Sequence, residues 1–265
     1  MSLQLGNTKI KEVYLGSIKI AQMYLGSTRV FEAVDPYNPL NLPPNTVRVR
    51  TNDGNPPIKD EDKASYESAT LVSGTTDTYD VYKSGSALWA LLWGSTNVVE
   101  VIAANTTGIV SMAYMFKDCS SLTTIPLFDT SKVKYLSSMF YGCRSLVSVP
   151  LFDTSNVTDM DYMFTFCESL KDIPLFDTSK VTNMEASFLS CSNITAVPLL
   201  NTSNVTFMKR AFAGCNKVQS GALALYKQAS TQATPPSEHD YAFRTCGQDT
   251  TTGAAELAQI PDDWK

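Results

Sequence analysis

Five cysteines fall at residues 119, 143, 167, 191 and 215, each 24 residues after the last. Phe116, Phe140, Phe164, Phe188 and Phe212 keep the same step, as do Pro126, Pro150, Pro174 and Pro198. The repeated text is IPLFDTSKVKYLSSMFYGCRSL from residue 125, VPLFDTSNVTDMDYMFTFCESL from 149 and IPLFDTSKVTNMEASFLSCSNI from 173. Self-similarity at a fixed period of this length constrains a fold more than composition does. A unit this short cannot bury its apolar face alone, so units stack and bury it for each other.

Each unit parses into a strand, a turn and a helix. Leu146, Val149 and Leu151 alternate as in a short strand. Asp153, Thr154 and Ser155 are turn and helix-capping residues. Val157, Met160, Met163 and Phe164 fall at i, i+3, i+6 and i+7, one face of a short helix, and Cys167 ends it. With L-x-x-I-x-L at Leu122, Ile125 and Leu127, the expected fold class is α/β: a leucine-rich-repeat solenoid with one short parallel strand and one short helix per 24-residue coil. A small antiparallel β-rich region should precede it. The proline column conflicts with a regular strand, since proline removes a ladder hydrogen bond. Either the ladder is only two or three residues long, or the proline marks where each strand ends.

The register runs past the obvious copies. Leu88, Leu91, Leu92, Val98 and Val101 sit one step before Met112, Met115, Phe116, Leu122 and Ile125, so a degenerate coil begins near residue 85. Phe243 and Cys246 repeat the F-x-x-C pair after 31 residues, and the extra length lies in GALALYKQASTQATPPSEHDY, read as a helix followed by a loop. The chain opens with a shorter repeat, LGNTKIKEVY, LGSIKIAQMY, LGSTRVFEAV, whose Gly-Asn and Gly-Ser pairs signal hairpin turns. The expected organisation is a β-meander docking segment at 1–34, a Pro-rich linker at 35–44, a β-rich N-terminal cap region at 45–84, repeats at 85–219 and a C-terminal cap at 220–265. Three short strands bury too little to stand alone. The meander therefore leans on its own chain or docks elsewhere, with Ile10, Ile20, Val30, Tyr14 and Tyr24 as the candidate docking side chains.

The columns P-L-F-D-T-S-x-V-T-x-M and M-F-x-x-C-x-S-L resemble the BspA-like leucine-rich repeats of bacterial surface and bacteriophage proteins, over roughly residues 85–220. The resemblance implies a surface for binding or adhesion and no catalytic residues. Copies four and five depart from the pattern: Ser187 and Ala211 replace Met, Leu200 replaces Phe and Asn201 replaces Asp. The N-terminal LGN and LGS decapeptides look like segments of phage tail and virion proteins.

With 18% charged residues and a net charge of −5, the chain lacks the clustered cations that nucleic acid or an anionic membrane demands. The start MSLQLGNTKI has no signal-peptide pattern, which implies synthesis in the cytoplasm and a place in a virion, or alternatively on a bacterial cell surface. A 24-residue cysteine step is wrong for zinc and is read as a buried thiol ladder. The one histidine, His239, is read as a solvated loop residue, and the Asp129, Asp153 and Asp177 column as turn-capping carboxylates. No cofactor and no enzyme activity are expected. The candidate binding row is Phe128, Phe152, Phe176 and Leu200 with Pro126, Pro150, Pro174 and Pro198. These lie on the open face of the sheet, or else the Phe residues turn into the core. The function expected is a non-catalytic virion-associated protein of tail, fibre or capsid. It would be held by its N-terminal segment to other virion proteins and display a recognition surface toward a host protein or glycan, with homo-oligomerisation possible. A bacterial adhesin and a purely structural decoration protein are the alternatives.

Overall fold

The computed structural model describes residues 37–57 and 66–265 in full, and four short strands before them by their backbone alone. Those four are β1 (Val13–Leu15), β2 (Ile18–Ile20), β3 (Tyr24–Leu25) and β4 (Thr28–Arg29). β1 pairs with β2 and β3 with β4, both antiparallel. The side chains of Ile20, Tyr14 and Tyr24, and Ile10 and Val30 altogether, lie outside the described residues.

Three strands follow: β5 (Thr46–Thr51), β6 (Ser68–Leu71) and β7 (Thr78–Tyr82). With β8 (Val98–Ala104) they make one antiparallel sheet of order β6-β7-β5-β8. Val47, Val49, Val81 and Val101 bury one face, as alternation requires. On the other, Arg48 grips Asp80 of β7 with two nitrogens at 2.7 and 2.8 Å. β8 has a second role. Beyond β5, its other edge meets the next stretch of chain through the parallel bridge Glu100↔Thr124 and the bond from Thr123 N–H to Val99 O. The sheet is thereby continuous with the first repeat. In the Pro-rich segment Asn38 closes a turn on Leu42, whose carbonyl also accepts from Asn105.

The expected coil of parallel strand plus helix is wrong. Among the described residues between β8 and α1 (Ala222–Thr231) there is no helix, and parallel pairing is reduced to isolated single-residue bridges. The regular elements are the four-stranded antiparallel sheet and short helices: α1, α2 (Thr251–Leu257) and the 3-10 turn Asp262–Trp264. The physical reason lies in alternate backbone N–H groups. Those of Met160, Tyr162, Phe164 and Phe166 donate to Asn183, Glu185, Ser187 and Leu189 of the following coil, at 2.8–3.0 Å. Those of Met163, Thr165 and Cys167 donate to the residue three before them. Half the donors thus close tight turns and half reach the neighbour. Such turns need left-handed residues, and Tyr162 at φ 53° and Phe166 at φ 60° supply them. The same two places are filled by Tyr114 and Asp118, Ser138 and Gly142, Ala186 and Ser190, and Arg210 and Gly214, all at positive φ. A helix would hold φ near −63° throughout. The apolar spacing of a helix is present because successive turns also return to one face every three or four residues.

The strand failed for the reason its proline column suggested. Before each proline only scattered bonds join neighbouring coils, such as Val147 N–H to Thr123 O and Lys171 N–H to Val147 O. After the proline the chain bends inward instead of extending.

Inside, Phe116, Phe140, Phe164, Phe188, Phe212 and Phe243 stack face to face with centroids 5.0–5.8 Å apart. Trp264 ends the column 6.3 Å beyond Phe243. The 31-residue step is absorbed outside the stack, since Phe212 N–H still reaches Ala242 O. Beside the rings runs the thiol column. All six cysteines are free and buried. The Sγ of Cys119, Cys143, Cys167, Cys191 and Cys215 each donates at 3.1 Å to a carbonyl of the preceding coil.

Arg210 is exposed and sits at φ 56°. Arg210→Gly should stabilise the protein by about 0.5–1 kcal/mol, because left-handed backbone strains any residue with a Cβ. In a helix the same change would cost about that much; urea unfolding gives the sign. The thiols supply a second test. Burial raises the pKa of each, to about 12 for Cys246 and well above the ordinary value for Cys143, Cys167 and Cys215. A group whose folded pKa is raised contributes stability below its unfolded pKa and loses it as pH rises. In reducing buffer the urea midpoint should therefore be flat up to about pH 8.5 and then fall, by up to about 1.4 kcal/mol per thiol per pH unit. A midpoint unchanged from pH 8 to 9.5 would contradict neutral buried thiols.

Candidate functional site

Proline opens the stretch that sets the surface. In Pro174-Leu175-Phe176 the Phe176 N–H donates to Pro174 O at 2.8 Å, and Leu200 N–H to Pro198 O at 2.9 Å. This three-residue turn puts the middle residue at its apex. Leu175 and Leu199 sit at these apices, exposed by 64% and 57%, and Leu127 and Leu151, at the same step of the repeat, are exposed by 36% and 61%. One leucine per coil therefore stands outward, in a row along the stack. The prolines Pro126, Pro150, Pro174 and Pro198 flank it, half-buried.

Of the two alternatives for the candidate row, the one in which the Phe residues turn into the core holds. Phe128, Phe152, Phe176 and Leu200 are at most 2% exposed. The three rings stack on each other and on Phe116, Phe140 and Phe164 as a second column of the core. Strict alternation would have set Phe outward and Leu inward; the turn at Leu175 and at Leu199 shifts the parity by one. Of the candidate row, only the prolines reach the surface.

Near this row a groove of about 640 Å³ opens across the coils. Val147, Ser169 and Asn193 line it with Lys171, Asp172, Thr195 and Lys217. Lys217 Nζ donates to Asn193 Oδ1 at 2.6 Å, and Asn193 Nδ2 donates to Glu168 O at 2.6 Å, so the amide is oriented from both sides. Among the described residues the side chains of Lys171 and Asp172 enter no hydrogen bond or ion pair.

A different set of side chains crosses the first coils. Lys117 Nζ lies 4.6 Å from the Trp93 ring centroid and 4.5 Å from that of Tyr141, with Tyr114 at 5.4 Å. Residues 93, 117 and 141 are one column, so stacking itself threads the ammonium between two rings. Trp93 also stacks on Tyr114 at 5.3 Å and donates its Nε1–H to Asp118 at 3.1 Å. The spacing was legible in the sequence, though no repeat motif drew attention to it.

The polar columns are largely consumed by the fold. Asp129 and Asp153 accept from the backbone N–H and hydroxyl of Ser131 and Ser155, and Asp177 from the N–H of Ser179. These are the turn-capping carboxylates expected, and no His, Cys, Asp or Glu group among the described residues is placed to hold a metal. Asp161 lies near Asp159 and Glu185, and partial burial, the largest cause, with those neighbours raises its pKa. Tyr162 donates to Glu185 at 2.8 Å, and burial followed by that bond pushes it up to about 12. His239 is half-buried, its side chain 25% exposed and its ring stacked on Trp264 at 4.2 Å.

Compared with known proteins, the chain matches one family model, described as Mycoplasma protein of unknown function, DUF285, over residues 87–172 and 110–226. Together these spans cover just over half of the chain. No curated protein and no solved structure matches it.

Replacing Lys117 by Met keeps its length and removes its charge. The loss should be about 1–2 kcal/mol in urea unfolding, the range for a cation held between aromatic faces. A loss below about 0.3 kcal/mol would mean that the ammonium gains nothing from the rings.

Proposed function

We propose, from the premise that the chain belongs to the DUF285 family, that it is a non-catalytic binding protein whose stacked repeats carry a protein-docking surface on the leucine row. The observation that carries this reading is the row itself. Four leucines at the same step of the repeat, each at least a third exposed, make a row of apolar side chains on the surface. Such strips mark interaction sites, whereas isolated surface leucines do not. The core is already filled by the two phenylalanine columns, so the leucines are not needed to complete it. Leu175 and Leu199 are held outward by turns that begin at a proline, which lowers the entropy lost on binding.

The repeats are of the BspA-like kind, a reading supported by the PLFDTS and MF-x-x-C columns. The setting we favour is a bacteriophage virion, with the leucine row facing a host surface protein and the N-terminal hairpins attaching the chain to other virion proteins. It is supported by the likeness of the LGN and LGS decapeptides to virion protein segments. Two measurements test this. Particles purified on a density gradient from the encoding strain should contain the chain by immunoblot. Labelled full-length protein should bind host cells saturably, and Leu151→Asp with Leu175→Asp should weaken that binding by about tenfold or more at unchanged thermal stability. Absence from particles sinks the virion setting, and binding indifferent to both substitutions sinks the leucine row.

A further inference from the structure

We propose that the groove around Lys171 and Lys217 is a second binding site, for an acidic oligosaccharide. The groove's volume of about 640 Å³ lies in the range of small-ligand sites, roughly 300–1,000 Å³. Its lining is the lining a polyol needs. Ser169, Thr195 and Asn193 supply hydroxyl and amide groups that both donate and accept, matching sugar hydroxyls, and Val147 gives one apolar wall. The lysine stems extend apolar cover while their heads stay in water.

The charge pattern selects an anion. Arg144, three residues before Val147 of the groove lining, is already paired with Glu168. Lys217 is satisfied only by the neutral oxygen of Asn193, and Lys171 has no partner among the described residues. Two ammonium groups thus face one groove in a chain whose net charge is −5. A carboxylate or sulfate on the sugar gives each a charge-assisted hydrogen bond. Asp172 lines the same groove. It accepts from a sugar hydroxyl and sets the acid groups to the lysine side. An acidic peptide is the competing ligand, and the titration below separates the two.

The site is independent of the leucine row, and its test keeps the two apart. Calorimetric titration of the full chain uses trigalacturonate as probe, with maltotriose as the uncharged and hexaglutamate as the peptide comparison. Trigalacturonate should bind, about tenfold or more tighter than either comparison, and weaken as salt rises from about 50 to 500 mM. Lys171→Ala with Lys217→Ala should weaken it by about tenfold or more. Leu151→Asp with Leu175→Asp should leave it unchanged. Trigalacturonate that does not bind, binds no better than maltotriose or hexaglutamate, or binds the lysine double variant equally overturns the proposal.

Discussion

Everything in the repeat region depends on how its backbone N–H groups are shared between turn and neighbour. A helix spends every interior donor on itself, and a strand spends its donors on the partners beside it. Here the donors alternate, one to the residue three back and the next to the following coil, as at Met163 and Phe164. The result is a backbone stiff in two directions with no regular element at all. The cost is left-handed φ twice per coil, borne at times by residues as bulky as Tyr162, Phe166 and Arg210. The stacked phenylalanines and the thiols that donate to carbonyls of the preceding coil offset that strain. Burial of such rings is worth several kcal/mol each, more than the roughly 1–2 kcal/mol of a strained residue.

The register of the phenylalanine column was legible in the sequence. The 24-residue columns placed Phe116 to Phe212 in one line, the F-x-x-C pair carried the line to Phe243, and the β-formers between residues 45 and 84 became β5, β6 and β7. The elements of the coil were not legible. Met160, Met163, Phe164 and Cys167 return to one face whether the chain turns as a helix or as a run of tight turns, because both come round every three to four residues. Periodicity reports the face and is silent on φ. The surface was ambiguous for a related reason. Alternation assumes an extended chain, and proline at 174 or 198 introduces a turn whose apex takes the next leucine outward. The proline column was noticed as a conflict, and that conflict was the signal.

The polar columns show how a repeat can look chemical and be structural. Asp129, Asp153 and Asp177 recur at regular steps as ligands would, yet each tethers the serine two residues on. The groups left without such duties, Lys171 among them, sit where the repeats differ from each other. In a repetitive scaffold, the identical positions hold the stack and the departures individualise its surface.

The seven residues added before Phe243 are looped out at α1 and the stretch after it, and the ring stack passes by them undisturbed. Length in this architecture is therefore quantised. A gain or loss of whole coils, as unequal recombination between near-identical repeats would produce, lengthens or shortens the stack by the ring spacing of about 5 Å and leaves both ends intact. Any other change must be carried outside it. The gene can tune the reach of its product in fixed increments without redesigning either terminus.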